Sequence, residues 1–105
     1  MSQFDVYENN NSATRKAYPY LVNIQSEVLS ELSTRVVLPL AREKQLKASG
    51  MARLTPQVEY QGESLLIMTP QISAISCRQL KEPLGSLAHL RTEIIGALDF
   101  VLGGV

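Results

Sequence analysis

With 105 residues, 45% of them hydrophobic and 19% charged, the chain has the composition of one folded domain spanning residues 1–105, not of a disordered or low-complexity segment. Ten Lys and Arg balance ten Asp and Glu, so no net field draws the protein onto a polyanion, and direct nucleic-acid binding is disfavoured. The single Cys77 excludes an internal disulfide, the polar opening residues exclude a signal peptide, and no apolar run approaches the roughly 18 residues of a membrane span, so a soluble cytoplasmic protein with no membrane partner is expected.

From Gln3 to Tyr7 the residues alternate, with Phe4 and Val6 on one face and Gln3, Asp5 and Tyr7 on the other, which predicts a half-buried strand. The polar tract from Asn9 through Ser12 to Lys16 reads as a mobile loop, because Asn and Ser compete for backbone hydrogen bonds. Tyr18-Pro19-Tyr20 opens a second strand running to Gln25, and Ser26 to Ser33 reads as a turn or a single helical turn. Thr34 to Leu40 is a continuous β-branched and apolar run, the pattern of a central strand buried on both faces and ending near Pro39. Arg35, at its start, reads as a structural anchor.

Arg42 to Arg53 carries Arg42, Lys44, Lys47 and Arg53 against Glu43 alone, a local charge of plus three in a loop-like stretch with Ser49 and Gly50. Leu54 to Tyr60 alternates like an edge strand, Gln61-Gly62-Glu63 signals a tight turn, and Ser64 to Thr69 is a second apolar run; together they predict a hairpin. Ile72 to Cys77 alternates once more, and Arg78 to Gly85 leads onward.

From Ser86 the apolar spacing changes. Leu87, Leu90, Ile94, Leu98 and Val101 recur every three or four residues, the period of an amphipathic helix, with the Ser86 hydroxyl placed to cap it and Gly103-Gly104 to end it. Ile95, Ala97 and Leu102 complete the stripe, while His89, Thr92, Glu93, Gly96, Asp99, Phe100 and Gly103 form the opposite, open face. Gly96 has two readings, close approach by a neighbour or a tolerated weak residue costing about 1 kcal/mol. Short strands followed by one long terminal helix make an α+β domain: a curved antiparallel sheet, able to close into a small barrel, with the helix stripe packed on it.

No catalytic set is visible. His89 is the only histidine and no Cys or His stands near it, so neither a zinc site nor a triad is suggested; Cys77 reads as a small core residue. The scattered glycines form no phosphate-binding loop, so no cofactor is expected.

In order and spacing the pieces resemble the CcdB family of gyrase-poisoning toxins from type II toxin–antitoxin modules. Gln3-Phe4-Asp5-Val6-Tyr7 is similar to the family's opening strand and Val22-Asn23-Ile24-Gln25-Ser26 to its second; Arg35-Val36-Val37-Leu38-Pro39-Leu40 resembles its Arg-x-Val-Ile-Pro-Leu strand. Leu66-Ile67-Met68-Thr69 resembles its Met-Thr hairpin strand, and Arg91 to Val105 its terminal helix. The resemblance implies an SH3-like barrel with a small extra sheet, a symmetric homodimer, no catalysis, and trapping of gyrase on cleaved DNA through the arm of the gyrase A subunit. It also implies neutralisation by the flexible segment of a CcdA-like antitoxin.

Carried over, the gyrase-facing residues are Gln3, Phe4, Tyr7, Ser26, Val28, Asp99, Gly103, Gly104 and Val105. The basic stretch of Arg42, Lys44, Lys47 and Arg53 is the expected landing site for an acidic antitoxin segment. Gly103 stands where the best-known family member has a tryptophan that stacks on a gyrase arginine. Two alternatives accompany this reading: an endoribonuclease like the fold-related MazF and Kid toxins, and an antitoxin-binding module that has lost gyrase poisoning.

Overall fold

The computed structural model describes residues 2–29, 31–42 and 54–103. Among these, the strands β1 (Asp5–Glu8), β2 (Tyr20–Asn23), β3 (Thr34–Arg42), β4 (Gln57–Tyr60), β5 (Glu63–Ile67), β6 (Ser73–Ser76) and β7 (Gly85–Ser86) precede one helix, α1 (Arg91–Gly103). The strands form one curled antiparallel sheet in the order β4-β5-β3-β2-β1-β7, with β6 paired to β3. The result is the α+β architecture expected from the sequence.

β3 is the central strand, and its pairing explains how it continues past its proline. One edge holds β2, through Leu21↔Pro39 and its neighbours. The other edge is shared: β6 covers Thr34 to Val37 and β5 covers Leu40 to Arg42. Pro39 falls at the handover, where its carbonyl accepts from Met68 N at 2.9 Å and no ladder bond asks for the N–H that proline lacks. The expected end near Pro39 is therefore three residues early, since β3 runs to Arg42.

Between β5 and β6 the chain kinks through the 3-10 turn Thr69–Gln71, with Pro70 at its start, and Thr69 Oγ1 donates to the Leu54 carbonyl. This kink lets two short strands share one edge and curl the sheet.

Register sorts the core onto two faces. Val22 pairs with Val6 on one side and Leu38 on the other, and Leu40 pairs with Ile67. With Phe4, Val58, Leu65, Leu87 and Ile94 they make the main core, which α1 covers. The opposite parity places Tyr7, Leu21 and Pro39 in one row, and Tyr7 packs with Val37 and Leu80 in a second, smaller cluster flanked by Leu21 and Ile75. β1 is thus covered on both faces at this point, which the alternation alone did not indicate.

The β4–β5 hairpin turns through Gln61 and Gly62, both at positive φ (55° and 77°), between the paired Tyr60 and Glu63. This is a two-residue turn whose twist matches that of the strands it joins. Tyr60 then reaches the far end of the sheet: a Cβ built on Gly85 would lie 2.7 Å from Tyr60 Oη. The two terminal strands of the sheet path, β4 and β7, therefore meet through a side chain seated on a glycine, and this contact closes the half-barrel. Tyr20 packs edge-on against Tyr60, with ring centroids 5.3 Å apart, and fixes its ring.

Several expectations change in detail. The Asn9 to Lys16 loop is tightly hydrogen-bonded: buried Asn9 donates to Thr14 Oγ1 and the Tyr18 carbonyl and accepts from Asn11 N, while Arg15 and Tyr18 amides close helical turns. The helical spacing that begins at Leu87 starts as a 3-10 turn over Ala88–Leu90, with Ser86 Oγ accepting from Ala88 N, and becomes α-helical at Arg91. Leu102, expected in the stripe, is 77% exposed, because the stripe runs past the core before the helix ends. Phe100, expected on the open face, is half-buried. Among the described residues of the chain nothing lies near the missing Cβ of Gly96, and the close approach within the chain occurs at Gly85.

Candidate protein-binding site

The residues singled out in the sequence fall into three places. The first is the corner where β1 begins. Phe4 takes a left-handed backbone conformation (φ 72°) in a turn closed by Asp5 N to the Ser2 carbonyl, and its own N–H and C=O bond to the Asn23 carbonyl and Leu87 N. That conformation costs about 1–2 kcal/mol for a residue with a Cβ, and it turns the Phe4 ring inward, where it is 2% exposed. Gln3 stays half-buried at the surface: its Nε2 donates to the Ile24 carbonyl at 3.0 Å and its Oε1 accepts from Arg91 Nη1 at 3.1 Å. The Arg91 guanidinium also lies 5.7 Å from the centre of the Phe4 ring. Gln3 and Arg91 therefore present polar atoms outward over a buried aromatic. Tyr7 is fully buried and its hydroxyl has no partner among the described residues; burial, then the Asp5 carboxylate, push its pKa above the usual tyrosine range.

The second place is the tip after β2. A buried polar bracket carries it: Gln25, 7% exposed, accepts from Val36 N and donates to the Leu29 carbonyl, while Asn23 Oδ1 accepts from Gln25 N. Arg35 lies buried below, donating to the Leu32 and Thr34 carbonyls in the anchoring role expected of it. On this support the 3-10 turn Glu27–Leu29 displays Val28, which is 88% exposed, beside exposed Ser26, Leu29 and Leu32. The sequence marked Ser26 and Val28 but not Leu29 or Leu32. The absence of any alternation across these leucines was the available signal.

The third place is the end of α1. Asp99 and Gly103 are exposed and one helical turn apart, next to exposed Leu102. About 18 Å of helix separates Arg91, which contacts Gln3, from Gly103, at 1.5 Å per residue. The corner and the helix end therefore occupy opposite ends of α1. Gly104 and Val105 lie outside the described residues.

Of the basic stretch, Arg42 is described. Its Nε meets Glu63 Oε2 at 2.7 Å and its Nη1 donates to the Lys16 carbonyl, so its charge is already engaged. Lys44, Lys47 and Arg53 lie outside the described residues. His89 is exposed and Cys77 is a free, half-buried thiol. Among the described residues no group of three His, Cys, Asp or Glu converges. No described helix is long and apolar enough to cross a membrane. What these places offer is contact chemistry: exposed aliphatic side chains, amides, carboxylates and an exposed helix end.

A family model described as "CcdB protein" matches residues 3–104. Among solved structures, an endoribonuclease in complex with its cognate antitoxin from a mycobacterial species is 13% identical, with a TM-score of 0.77 over 98% of this chain and 95% of its own. The Mycobacterium tuberculosis toxin MazF-mt6 is 14% identical, with a TM-score of 0.73 over 93% and 95% of the two chains. An endoribonuclease from a mycobacterial species is also 14% identical, with a TM-score of 0.69 over 98% and 91%. At these identities the likeness is one of fold.

Proposed function

The chain belongs to the CcdB family, toxins of toxin–antitoxin systems, and from that premise we propose that it poisons DNA gyrase. In this reading a homodimer binds the arm of the gyrase A subunit and traps gyrase on cleaved DNA, and a CcdA-like antitoxin neutralises it. The observation that carries the reading is the end of α1, where Asp99, Leu102 and Gly103 are all exposed on a helix that buries Ile94 and Ala97 in the core. Exposed Ser26 and Val28 and half-buried Gln3 supply further contacts, and Gly104 and Val105, outside the described residues, belong to the same reading. Phe4 and Tyr7 act from beneath, by holding the corner in shape, since their side chains are buried.

The protein acts by contact and carries out no chemistry of its own. A dimer accounts for exposed apolar side chains on a chain this small, and it sets copies of the same patches side by side. Sedimentation should give twice the chain mass at micromolar concentration; a monomer there refutes the dimer.

The antitoxin's acidic segment lands on the stretch of Arg42, Lys44, Lys47 and Arg53. Since Arg42 is held by Glu63, Lys44 and Lys47 carry the attraction. Lys44→Glu with Lys47→Glu should slow association at low salt, and an unchanged rate removes this landing site.

Expression in cells with wild-type gyrase and in cells with gyrase resistant to this toxin class tests the main reading. Toxicity confined to the former is expected. Equal toxicity in both, with RNA cleaved by the purified protein, would favour the endoribonuclease alternative. Antitoxin binding without toxicity in either would favour a module that has lost gyrase poisoning.

A further inference from the structure

One rung of the sheet is split. The register that pairs Asn23 with Val37 puts Ile24 opposite Val36, and Ile24 N donates to the Val36 carbonyl at 2.9 Å. In an antiparallel pair of this kind the facing amide returns the bond to the same residue. Here Val36 N donates to Gln25 Oε1 at 3.1 Å instead, and the Ile24 carbonyl accepts from Gln3 Nε2 at 3.0 Å. Two glutamine side chains thus stand in for one backbone bond, and both halves of the rung are satisfied.

The split changes where the chain goes next. A closed rung would carry Gln25 onward beside β3, whereas the split one lets the backbone leave the sheet at Ile24. The other end of the Gln25 carboxamide catches the departing chain: Nε2 donates at 2.9 Å to the carbonyl of Leu29, the last residue of the 3-10 turn Glu27–Leu29. Asn23, 1% exposed, ties the tip to the corner of β1, its Nδ2 donating to the Ser2 carbonyl at 3.1 Å and its Oδ1 accepting from Gln25 N at 3.2 Å. Gln25 is 7% exposed and Val28, three residues on, is 88% exposed. A side chain that no partner can reach therefore sets the path of the most exposed large apolar side chain among the described residues.

We propose that Gln25 is a positioning residue for partner recognition: by splitting the Ile24–Val36 rung it fixes the direction in which the tip presents Val28. The competing arrangement is discrete, because Val36 N can return to the Ile24 carbonyl. Loss of the carboxamide favours that closed rung, which releases the Leu29 carbonyl and Gln3 Nε2 together. A tip left in the presenting arrangement for about a tenth of the time binds about tenfold more weakly, although Gln25 itself touches no partner. The inference rests on the gyrase reading for the identity of the partner, while the presentation of the tip is a property of the free chain.

The test compares the 105-residue chain with Gln25→Met, which keeps the side-chain length and removes both hydrogen bonds, with Val28→Ala, and with the double variant. Calorimetric titration against the isolated gyrase A arm, at a temperature where melts show each protein folded, should find Gln25→Met about tenfold weaker than wild type. In the Val28→Ala background the same change should cost about threefold or less, because the side chain it positions is gone. Gln25→Asn, one methylene too short to span both bonds, is the second variant and should weaken binding likewise. A lowered melting temperature with unchanged affinity, or an equal loss in both backgrounds, would make Gln25 a structural residue only and overturn the inference. Amide NMR of the free chain separates this inference from the gyrase reading. The wild-type Gln25 carboxamide protons should exchange slowly, and Gln25→Met should shift the amides of Ser26 to Leu29 and of Gln3 while those of Ile94 and Ala97 stay in place. If the wild type does not bind the arm, the gyrase reading falls and these signals decide the positioning role: unmoved tip amides, or carboxamide protons that exchange as fast as those of a surface glutamine, would overturn it.

Discussion

Replacing Gly85 with alanine puts a methyl group 2.7 Å from Tyr60 Oη, nearer than real Cβ atoms come, with ring carbons at 3.4 and 3.5 Å behind it. Tyr60 cannot simply swing away, because Tyr20 packs edge-on against its ring and its hydroxyl is buried. Overpacking of this kind costs about 1–3 kcal/mol, against about 0.5–1 kcal/mol recovered by removing a glycine from a strand. Gly85→Ala should therefore destabilise by about 1–2 kcal/mol. Tyr60→Phe removes the atom that clashes and also an unpaired buried hydroxyl, so alone it should be neutral or stabilising by up to about 1 kcal/mol. In the Tyr60→Phe background the same alanine meets only the ring carbons and should cost little. Urea melts of the four proteins then give a coupling of about 1–2 kcal/mol, or roughly 4–16 °C in melting temperature. An equal cost of Gly85→Ala in both backgrounds would refute the idea that the sheet ends meet through Tyr60 on Gly85.

Asn9→Ala removes three side-chain hydrogen bonds from a buried position and should cost about 2–4 kcal/mol in a denaturant melt, as well as loosening the Asn9 to Lys16 loop. Tyr7 and Tyr20 are held above the ordinary pKa of 10.0, in each case first by burial. Above that pH the unfolded chain releases their protons before the folded one does, so stability should be complete below pH 10 and fall as pH rises beyond it. Alkaline melts should show this fall, and Tyr7→Phe should flatten it. Gly103→Trp adds an aromatic on the exposed helix end and should raise affinity for the gyrase A arm by up to about 2 kcal/mol, roughly thirtyfold, in calorimetric titration with the melt unchanged. Equal or weaker binding by the folded variant would place gyrase recognition elsewhere.

Much of the architecture was written in short-range pattern. The β-branched, apolar run of Val36 to Leu40 reads as a strand covered on both faces, and Gln61-Gly62 between two strand-like segments reads as a hairpin turn; both are found. The rest depends on contacts that pattern does not encode. Phe4 and Tyr7 sit on opposite parities, and only the second cluster around Val37 and Leu80 reveals that both are buried. Gly85 and Gly96 look alike in sequence, yet one lies under Tyr60 and the other faces open space. β7 is two residues long and has no pattern to read; it exists because β1 offers it an edge at Asp5 and Val6. At the site, Asp99 and Gly103 were legible because helical period alone puts them on the open face. The split rung was not, since Gln3 and Ile24 come together from segments 21 residues apart.

In the proposed function this chain acts on gyrase through contacts at its helix end. The decisive assay mixes purified gyrase, supercoiled DNA and the 105-residue chain and reads cleaved DNA after denaturing the enzyme. Cleavage complexes should accumulate with toxin concentration, be outcompeted by the isolated gyrase A arm, and diminish with Asp99→Lys. A folded dimer that leaves gyrase turnover untouched and does not bind the arm would contradict the claim.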